Sequence, residues 1–517
     1  MIVMRHLRQL GAIGLRVVGL VAVLTSGSRS APPPNILLIY TDDVGYGDVS
    51  CNGQQTLKTP HIDRIAAEGL RHTDAHCSAA TCTPSRFALL TGRYAFRQPG
   101  TGIARGDANM IIQPGTTTVA TLLKQVGYTT GVIGKWHLGL GKGEVDWNTE
   151  IRPNPHDIGF DYHYLIPATG DRVPCVYVEQ GRVVGLDPSD PIQVSFTKRI
   201  DPSPSGAEVP PESLKQRWSH GHNQTIVNGI SRIGWMTGGQ SARWVDEEMA
   251  DTITAKATTF LEEHRDEPFF LFFSTHDIHV PRVPHPRFQG KSGLGWRGDA
   301  MLQLDWCVGQ LLNKLDELGL REQTLVIFTS DNGPVLDDGY VDQANELVGD
   351  HRPNGPFRAG KYSSFEGGTR VPMLIRWPQR IPAGQVSAAL IGQVDFAASV
   401  AALVGAEIPA GQCIDSRNEL DALLGTDPHG RPHLMHEARN LALRMGHWKY
   451  VPPGRVRDGL GPWTTVDIPR PGALFDLRQD VAERRDVADE HPEVFVKLQR
   501  LHERLLSGGD QPDHVGQ

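Results

Sequence analysis

The segment Cys82-Thr83-Pro84-Ser85-Arg86 combines residue types whose spacing could do chemistry. The proline suits the first turn of a helix, where its missing N–H costs no hydrogen bond. A helix N-terminus presents unpaired N–H groups and the positive end of the dipole, and both stabilise an anion. The four-residue spacing places Arg86 on the same helix face as Cys82. The segment predicts a reactive centre that holds a tetrahedral oxyanion, and a buried structural cysteine is the alternative.

A second group of residues offers only oxygen ligands, and it comprises Asp42, Asp43, Asp331 and Asn332. Carboxylates and an amide suit a hard cation such as Ca²⁺ or Mg²⁺. The amide adds an oxygen without another negative charge, which matters if an anionic substrate binds beside the cation. Taken separately, an Asp-Asp pair also fits a helix cap, and Asp-Asn-Gly also fits a tight turn.

Basic side chains follow two further predicted strands. Lys135 and His137 lie two residues apart, so their side chains point the same way if the strand continues. Lysine neutralises an oxyanion, and histidine moves a proton near neutral pH. His276 and His279 follow another strand, and we expect one of them to be structural. Lys361 lies in a glycine-rich segment that permits close backbone approach. These charges predict a site for a sulfate or phosphate group.

Four apolar runs are typical of the buried strands that would position these side chains: residues 35–40, 129–133, 269–273 and 325–328. A helical pattern over residues 299–318 lies between two of them. Apolar strands that alternate with helices indicate an α/β fold, with a large, mostly parallel sheet covered on both faces. Ligands bind at the carboxyl ends of such strands, so the polar residues there are expected to meet.

The chain of 517 residues is too long for one average core, which predicts two domains. We assign residues 35–409 to a catalytic domain. Short alternating runs and an amphipathic helix over residues 491–506 predict a smaller C-terminal α+β domain at 410–510, with a short antiparallel sheet. Residues 165–240 are rich in Gly, Pro, Ser and Asp, and they are predicted to form long loops over the sheet edge.

The composition of the chain restricts its binding partners and its cellular localisation. A net charge of −8 argues against nucleic acid as a partner. The first thirty residues hold four arginines and no acid, and their longer apolar run, residues 17–24, is too short to span a bilayer. This pattern predicts a cleaved signal peptide at residues 1–30, export to the periplasm or medium, and no integral membrane span.

The six cysteines include no CxxC pair, so neither a zinc cluster nor a thioredoxin-like site is indicated. The cysteine count does not imply a disulfide framework, although an exported protein could still form one or two disulfide bridges. A thiolate is a poor partner for a hard cation. This mismatch indicates that Cys82 does not act as a plain thiol.

Two motifs of the chain resemble the paired signatures of type I sulfatases in the alkaline-phosphatase superfamily. The first is the segment from Cys82 to Arg86, followed by Leu89-Leu-Thr-Gly-Arg93, and the second is Gly127-Tyr-Thr-Thr-Gly-Val-Ile-Gly-Lys-Trp-His-Leu-Gly139. Residues 443–450 and 474–477 resemble the C-terminal pattern of that family. The resemblance implies an alkaline-phosphatase-like fold and a sulfuric ester hydrolase.

The resemblance also implies a modified residue and a metal. In this family the motif cysteine is oxidised to formylglycine (3-oxoalanine) by a formylglycine-generating enzyme, and the aldehyde hydrates to a gem-diol. By position, the metal ligands would be Asp42, Asp43, Asp331, Asn332 and the modified residue 82. Calcium is the usual metal, and Mg²⁺ is less favoured. The group that faces the metal then becomes an oxygen, which removes the mismatch noted for the thiol.

The family's two-step covalent reaction assigns roles to the basic residues. A diol oxygen would attack sulfur while His279, in a His-x-Pro motif, protonates the leaving alcohol. His137 would then deprotonate the second hydroxyl, so that sulfate is eliminated and the aldehyde returns. Arg86 would hold the diol, and Lys135 and Lys361 would bind sulfate oxygens. His276 lacks the x-Pro step and is the weaker candidate for the acid.

Two further segments, residues 169–177 and 218–223, resemble exported bacterial sulfatases that act on sulfated glycans. The implied substrates include 6-O-sulfated galactose or N-acetylgalactosamine, with aryl sulfates as surrogates. The substrate contacts would be Arg172, His220, His222 and His276.

Two alternative functions remain open. One is a phosphate or phosphonate monoester hydrolase of the same superfamily. The other is a non-catalytic glycan-binding relative, whose mark would be the loss of Lys135, His137 or Lys361, and the sequence retains all three.

Overall fold

A ten-stranded sheet forms the centre of the protein in the computed structural model, which describes residues 33–461 and 463–508. The predicted signal peptide lies outside the described residues. In chain order, the strands are β1 (Asn35–Thr41), β2 (Leu70–His72), β3 (Thr129–Lys135), β4 (Tyr162–Ile166), β5 (Val178–Glu179), β6 (Arg182–Val183), β7 (Phe269–Ser274), β8 (Thr324–Ser330), β9 (Met373–Arg376) and β10 (Gln385–Ser387).

The strands lie in the order β10-β2-β9-β8-β1-β7-β3-β4-β5-β6. The five central strands from β8 to β4 are parallel, whereas β9 and β5 join the two ends of this group in antiparallel pairs. Every residue of β1, β7 and β8 is buried, as expected for strands covered on both faces. The sheet is therefore mixed and mostly parallel, and this prediction is confirmed.

The helices, in chain order, are α1 (Pro60–Ala67), α2 (Cys82–Thr91), α3 (Val119–Gln125), α4 (Met249–Glu263), α5 (Gly295–Glu317), α6 (Ala344–Leu347), α7 (Glu366–Thr369), α8 (Phe396–Val404), α9 (Leu420–Leu423) and α10 (Pro492–Ser507). Helix α5 packs against α1 and α4, and α8 packs against α2 and α3. The helix predicted over residues 299–318 corresponds to α5, which begins at Gly295, four residues before the apolar pattern.

A separate antiparallel sheet follows in the C-terminal part of the chain, as predicted. Its strands are β11 (Leu434–Glu437), β12 (Leu441–Met445), β13 (Trp448–Val451) and β16 (Ala473–Asp476). A hairpin of β14 (Gly454–Arg457) and β15 (Thr465–Ile468) is inserted between β13 and β16. Helix α10 packs on β12 and β13. The domain boundary near residue 410 stays a prediction.

The segment over residues 165–240 is more ordered than its composition indicates. It contributes short paired strands, of which Gln193–Ser195 pairs with Trp235–Thr237 and Ile226–Val227 pairs with Ile230–Ser231. Arg217–Trp218 pairs with Tyr340–Val341, close to the carboxyl end of β8. Elsewhere, Ala75–His76 pairs with Ile391–Gly392. The long excursion is thus tied to the rest of the chain by backbone hydrogen bonds.

Two smaller features bear on predictions from the sequence. Cys51, Cys77, Cys82, Cys175 and Cys307 carry free thiols, so none of them forms a bridge. Among the described residues, no helix combines the length and apolar character needed to cross a membrane.

Candidate active site

The carboxyl ends of four neighbouring strands meet at one edge of the sheet. Strands β8, β1, β7 and β3 lie side by side, and they lead directly into Asp331, Asp42, the loop with His276, and Trp136. The loops are held together by backbone hydrogen bonds, from the Asp331 N–H to the Thr41 carbonyl at 3.1 Å and from the Ile278 N–H to the Asp42 carbonyl at 2.9 Å. The predicted convergence of polar residues is a consequence of this strand order.

Three buried carboxylates form the centre of the site. Asp42, Asp43 and Asp331 each offer an oxygen within 4.8 Å of the others. Burial, followed by the charge of Asp331, raises the pKa of Asp42 well above its usual value. Burial also raises the pKa of Asp43, despite the adjacent Lys361. Three such groups repel one another when they are ionised together, so the cluster needs positive charge.

Two oxygens in this cluster have no hydrogen-bond partner, Asp42 Oδ1 and Asn332 Oδ1. The Asn332 amide nitrogen donates to Asp43 Oδ1 at 2.7 Å, which orients the carboxamide. A buried acceptor without a partner is costly. A divalent cation bound by these oxygens would satisfy them, and an all-oxygen donor set suits a hard cation. The residues present therefore fit a metal site of the predicted composition.

Cys82 is the first residue of α2, as the sequence predicts. Thr81 before it is extended, and the side chain of Cys82 is buried. Burial raises the pKa of the Cys82 thiol, even though Lys135 and Lys361 act in the opposite direction. The thiol therefore stays protonated at neutral pH, and a protonated thiol is a poor nucleophile and a poor ligand.

Arg86 is fully engaged with protein atoms. Its Nε and Nη2 donate to Asp331 Oδ2 at 2.9 and 2.8 Å. Its Nη1 donates to Ser274 Oγ at 2.6 Å and to the Lys135 carbonyl at 3.2 Å. Although burial raises the pKa of Asp331, the Arg86 charge outweighs it and holds that pKa below the usual value. These contacts fix the orientation of the Asp331 carboxylate.

The two lysines each pair with a carboxylate of the cluster. The ammonium group of Lys135 contacts Asp42 Oδ2 and lies 3.8 Å from Asp331 Oδ2. The Lys361 ammonium lies 2.8 Å from Asp43 Oδ1 and 2.9 Å from Asp338 Oδ2. Both side chains are buried. A cationic surface is thus assembled beside Cys82, although the two lysines are 226 residues apart in the chain.

His137 reaches the site by a different backbone path from the one expected. Strand β3 ends at Lys135, and His137 has a left-handed conformation with φ of 55°. The condition that the strand continues past Lys135 is therefore not met. The His137 Nε2 contacts the Ala104 carbonyl at 2.9 Å, whereas Nδ1 has no partner. Because a carbonyl only accepts, Nε2 carries the hydrogen and Nδ1 presents its lone pair.

His279 and His276 lie on the other side of the site. The His279 Nδ1 donates to the Val280 carbonyl at 2.8 Å, and its Nε2 lies 4.0 Å from Asp338 Oδ2. Burial and the charge of Lys361 hold the pKa of His279 well below its usual value. The Nδ1 of His276 has no partner, and burial lowers the pKa of this imidazole to about 3.

Three of the residues predicted to contact substrate, Arg172, His220 and His222, lie in the excursion over the sheet edge, whereas His276 follows β7. Arg172 Nη1 donates to Asp171 and to Thr169 Oγ1, each at 2.7 Å. His222 Nε2 contacts Asp171 Oδ2 at 2.8 Å. His220 is half-buried, and its Nδ1 lies 2.9 Å from Ser219 Oγ. Asp171 thus links Arg172 to His222.

Two acidic residues that sequence reasoning missed complete the site. Asp338 accepts hydrogen bonds from Lys361 and from the Tyr362 hydroxyl, both at 2.9 Å. Asp171 joins Arg172 and His222; although burial raises the pKa of Asp171, the charge of Arg172 and the hydrogen bond with His222 hold it well below the usual value. Asp338 occurs in Asp337-Asp338-Gly339, a pattern that indicates a turn. Only its position against Lys361 identifies it as part of the site.

Comparison with known proteins places the chain in a family. The family model described as Sulfatase matches residues 34–406. An N-acetylgalactosamine-6-O-sulfatase of Bacteroides thetaiotaomicron is 50% identical over 488 residues, which cover 93% of this chain and 95% of that protein. A mouse (Mus musculus) steryl-sulfatase is 34% identical, covering 93% of this chain and 84% of that protein. Human (Homo sapiens) arylsulfatase A is 33% identical, covering 93% and 89%.

Solved structures show the same relationship. A structure from work on the metabolism of multiple glycosaminoglycans by Bacteroides thetaiotaomicron is 50% identical in sequence, covers 92% of this chain and 100% of that chain, and superposes with a TM-score of 0.89. A sulfatase structure from Pseudoalteromonas sp. is 25% identical, covers 92% and 90%, and gives a TM-score of 0.68. The chain belongs to the sulfatase family, and it is an enzyme that hydrolyses sulfate esters.

Proposed function

We propose that this enzyme removes the 6-O-sulfate from N-acetylgalactosamine or galactose residues of sulfated glycans. The observation that carries the proposal is the 50% identity to the N-acetylgalactosamine-6-O-sulfatase, which extends over 93% of this chain and 95% of that protein. Relatives at 32–34% identity are a steryl-sulfatase and arylsulfatases, so the sugar assignment depends on the more similar protein.

The proposed metal is Ca²⁺, held by the cluster Asp42, Asp43, Asp331 and Asn332. The unpaired oxygens of Asp42 and Asn332 support this assignment because they remain for a cation to bind. A bound Ca²⁺ would supply positive charge toward the sulfate oxygens and the nucleophile. The amide of Asn332 keeps the ligand set less negative than four carboxylates would be, which favours binding of an anionic substrate.

We assign Cys82 as the precursor of formylglycine. The elevated pKa of the buried thiol argues against a thiolate nucleophile at this position. Once hydrated, formylglycine would supply an oxygen nucleophile at the start of α2. A formylglycine-generating enzyme is then the maturation partner, and it must act before the cysteine is buried in the folded protein.

Lys135 and Lys361 would hold the substrate sulfate. Each ammonium group now pairs with a buried carboxylate of the cluster. A cation bound to those carboxylates would weaken their pairing with the lysines. The ammonium groups would then be available to bind a second anion. Asp338 limits how far Lys361 can turn, because it holds the same ammonium group from the opposite side.

The two histidines have complementary proton arrangements. The His137 Nδ1 presents a lone pair, because its Nε2 hydrogen is directed to the Ala104 carbonyl, so it can accept a proton from the nucleophile. The His279 Nδ1 hydrogen is directed to the Val280 carbonyl, so the acidic proton of its imidazolium would be carried by Nε2. We assign His279 Nε2 as the donor to the leaving sugar oxygen.

Arg172, His220, His222 and His276 would contact the sulfated sugar. Export depends on the predicted signal peptide alone. A secretion assay with and without residues 1–30 tests it directly.

A panel of regioisomers tests the proposed substrate. We expect hydrolysis of 6-O-sulfated N-acetylgalactosamine or galactose, and at least tenfold lower kcat/KM for the 4-O-sulfated isomers and for 6-phosphates, a factor that corresponds to about 1.4 kcal/mol. A preference for a 4-O-sulfate would overturn the assignment. Peptide mass spectrometry over residues 72–93 tests the modification, and an unmodified thiol in active enzyme would contradict it.

A further inference from the structure

The hairpin of β14 and β15 reaches from the C-terminal sheet to the mouth of the active site. Ser363 Oγ donates to the Arg457 carbonyl at 2.7 Å, two residues after Lys361. The Leu336 N–H donates to the Leu460 carbonyl at 2.8 Å, two residues before Asp338. Both contacts anchor the hairpin to segments that carry residues of the sulfate site.

Trp463 lies near the tip of this hairpin with its indole open to solvent. Trp463 is 71% exposed, which is the largest exposed fraction of any large apolar residue in the described part of the chain. Its ring is held edge-to-face by His220 at 5.0 Å, and the Arg457 guanidinium lies 5.9 Å from its centre. An exposed aromatic face that polar neighbours hold in place matches the apolar C–H face of a pyranose ring.

Arg457 has an unused hydrogen-bond donor beside this face. Its guanidinium lies between Trp463 and Tyr362, 5.5 Å from the Tyr362 ring centre. Its Nη1 is shielded from solvent and has no partner. A shielded cationic donor without an acceptor is costly, so the position favours a ligand that brings an oxygen.

The two side chains are coupled to the sulfate site through a short path. Arg457 packs on the Tyr362 ring, the Tyr362 hydroxyl donates to Asp338, and Asp338 holds Lys361. On the opposite side, the ring of His220 lies 6.1 Å from that of His222. The open indole face is therefore connected to Lys361 through intervening side chains and not by a direct contact recorded between the two.

We infer that Trp463 and Arg457 form a subsite for the sugar next to the sulfated residue. The sugar ring stacks on Trp463, and a hydroxyl or carboxylate oxygen accepts from the half-buried Arg457 guanidinium. This inference rests on the proposed function, because it assumes that the sulfated residue belongs to a glycan. It makes these two side chains determinants of substrate length, with no part in breaking the sulfate ester.

The test compares kcat/KM for three 6-O-sulfated substrates: the N-acetylgalactosamine monosaccharide, a disaccharide with a neutral hexose and a disaccharide with a uronic acid. We expect the wild type to prefer both disaccharides. Trp463→Ala should lower the disaccharide-to-monosaccharide ratio roughly three- to tenfold. Arg457→Ala should lower it roughly 10- to 100-fold if the acceptor is the carboxylate, and by less if it is a hydroxyl.

Arg455→Ala is the matched control, because Arg455 lies on the same strand and forms only an exposed pair with Asp467 at 3.5 Å. It should leave the ratio unchanged, and Trp463→Phe should retain most of it. An unchanged ratio in both Trp463→Ala and Arg457→Ala, or a wild type without a disaccharide preference, would overturn the subsite. Failure of the proposed function is different, because the wild type would then hydrolyse none of the three substrates.

Discussion

Arg86 binds a single oxygen of Asp331 with two of its nitrogens, at 2.9 and 2.8 Å, and both side chains are completely buried. The second oxygen of Asp331 accepts only a long contact of 3.4 Å from the Asp43 N–H. One carboxylate oxygen is therefore committed to the arginine while the other faces the acidic cluster. This division orients the Asp331 carboxylate through a residue of the helix that carries Cys82.

Replacement of Arg86 by alanine should destabilise the fold as well as the site. The change leaves Asp331 buried without its partner, and breaking a buried pair costs about 3–5 kcal/mol. Urea unfolding should show this loss in the free energy of unfolding. The control, Arg455→Ala, removes an exposed pair and should be close to wild type. Equal effects of the two variants would contradict a structural role for the Arg86–Asp331 pair.

Chelation should lower both activity and thermal stability. When the metal is removed, only the two lysines and Arg86 offset the repulsion among the three carboxylates. A ligand at 100 times its Kd contributes about 2.7 kcal/mol of stability, so the melting temperature should fall on treatment with EGTA and recover with Ca²⁺. Metal analysis of the purified enzyme is the accompanying measurement. Unchanged stability and activity in metal-free enzyme would exclude the cluster as a metal site.

His279→Ala should affect substrates according to their leaving groups. General acid catalysis contributes about 10²–10⁴-fold, and it matters most when the departing alkoxide is basic. We expect a loss of this size with a sugar sulfate and a much smaller loss with 4-nitrophenyl sulfate. His276→Ala provides the comparison because the sequence left both histidines as candidates. If His276→Ala alone showed the leaving-group dependence, the two roles would be exchanged.

Asp305 predicts a pH dependence of stability outside the site. This residue of α5 accepts from the N–H groups of His61 and Ile62 at the start of α1, at 3.0 and 2.8 Å. Burial raises its pKa to about 7, from a usual value of 3.8. The folded state thus binds more protons than the unfolded state between these values, and its contribution to stability is lost as the pH rises through that window.

Asp305→Asn should remove this dependence, because the amide oxygen still accepts both N–H groups and cannot ionise. The variant should match the wild type near about pH 4 and exceed it in stability above about pH 7. Thermal unfolding across that range is the measurement. Parallel profiles for the two proteins would show that the Asp305 carboxyl titrates normally.

Glu366→Ala should be among the more destabilising single changes. Glu366 is buried and accepts from Arg444 at 2.9 Å, Arg370 at 3.0 Å and Lys449 at 3.1 Å, which join α7 to the C-terminal sheet. Its removal leaves these three bases with only Asp74 and Glu483 as acidic partners, at a cost of about 3–5 kcal/mol in the free energy of unfolding. Glu490→Ala, which removes the exposed partner of Arg485, is the control and should unfold like the wild type.

The sequence predicted most of the elements and the chemical identity of the site. The apolar runs that became β1, β3, β7 and β8 are continuous because both faces of the sheet are covered. The start of α2 at Cys82 follows from local turn and dipole preferences, which act over a few residues. The resemblance of two local motifs was sufficient to predict the family.

Only the tertiary structure decided which charges meet. Arg86 and Asp331 are separated by 245 positions in the chain, and Lys361 finds Asp338 across a loop whose sequence indicates only a turn. His137 depends on a left-handed backbone that a strand pattern does not predict. Trp463 meets His220 because a hairpin of the C-terminal sheet packs on the mouth of the site. Local sequence determines residue chemistry and element type, whereas burial and strand order determine the partners of each charge, because those depend on contacts between distant segments.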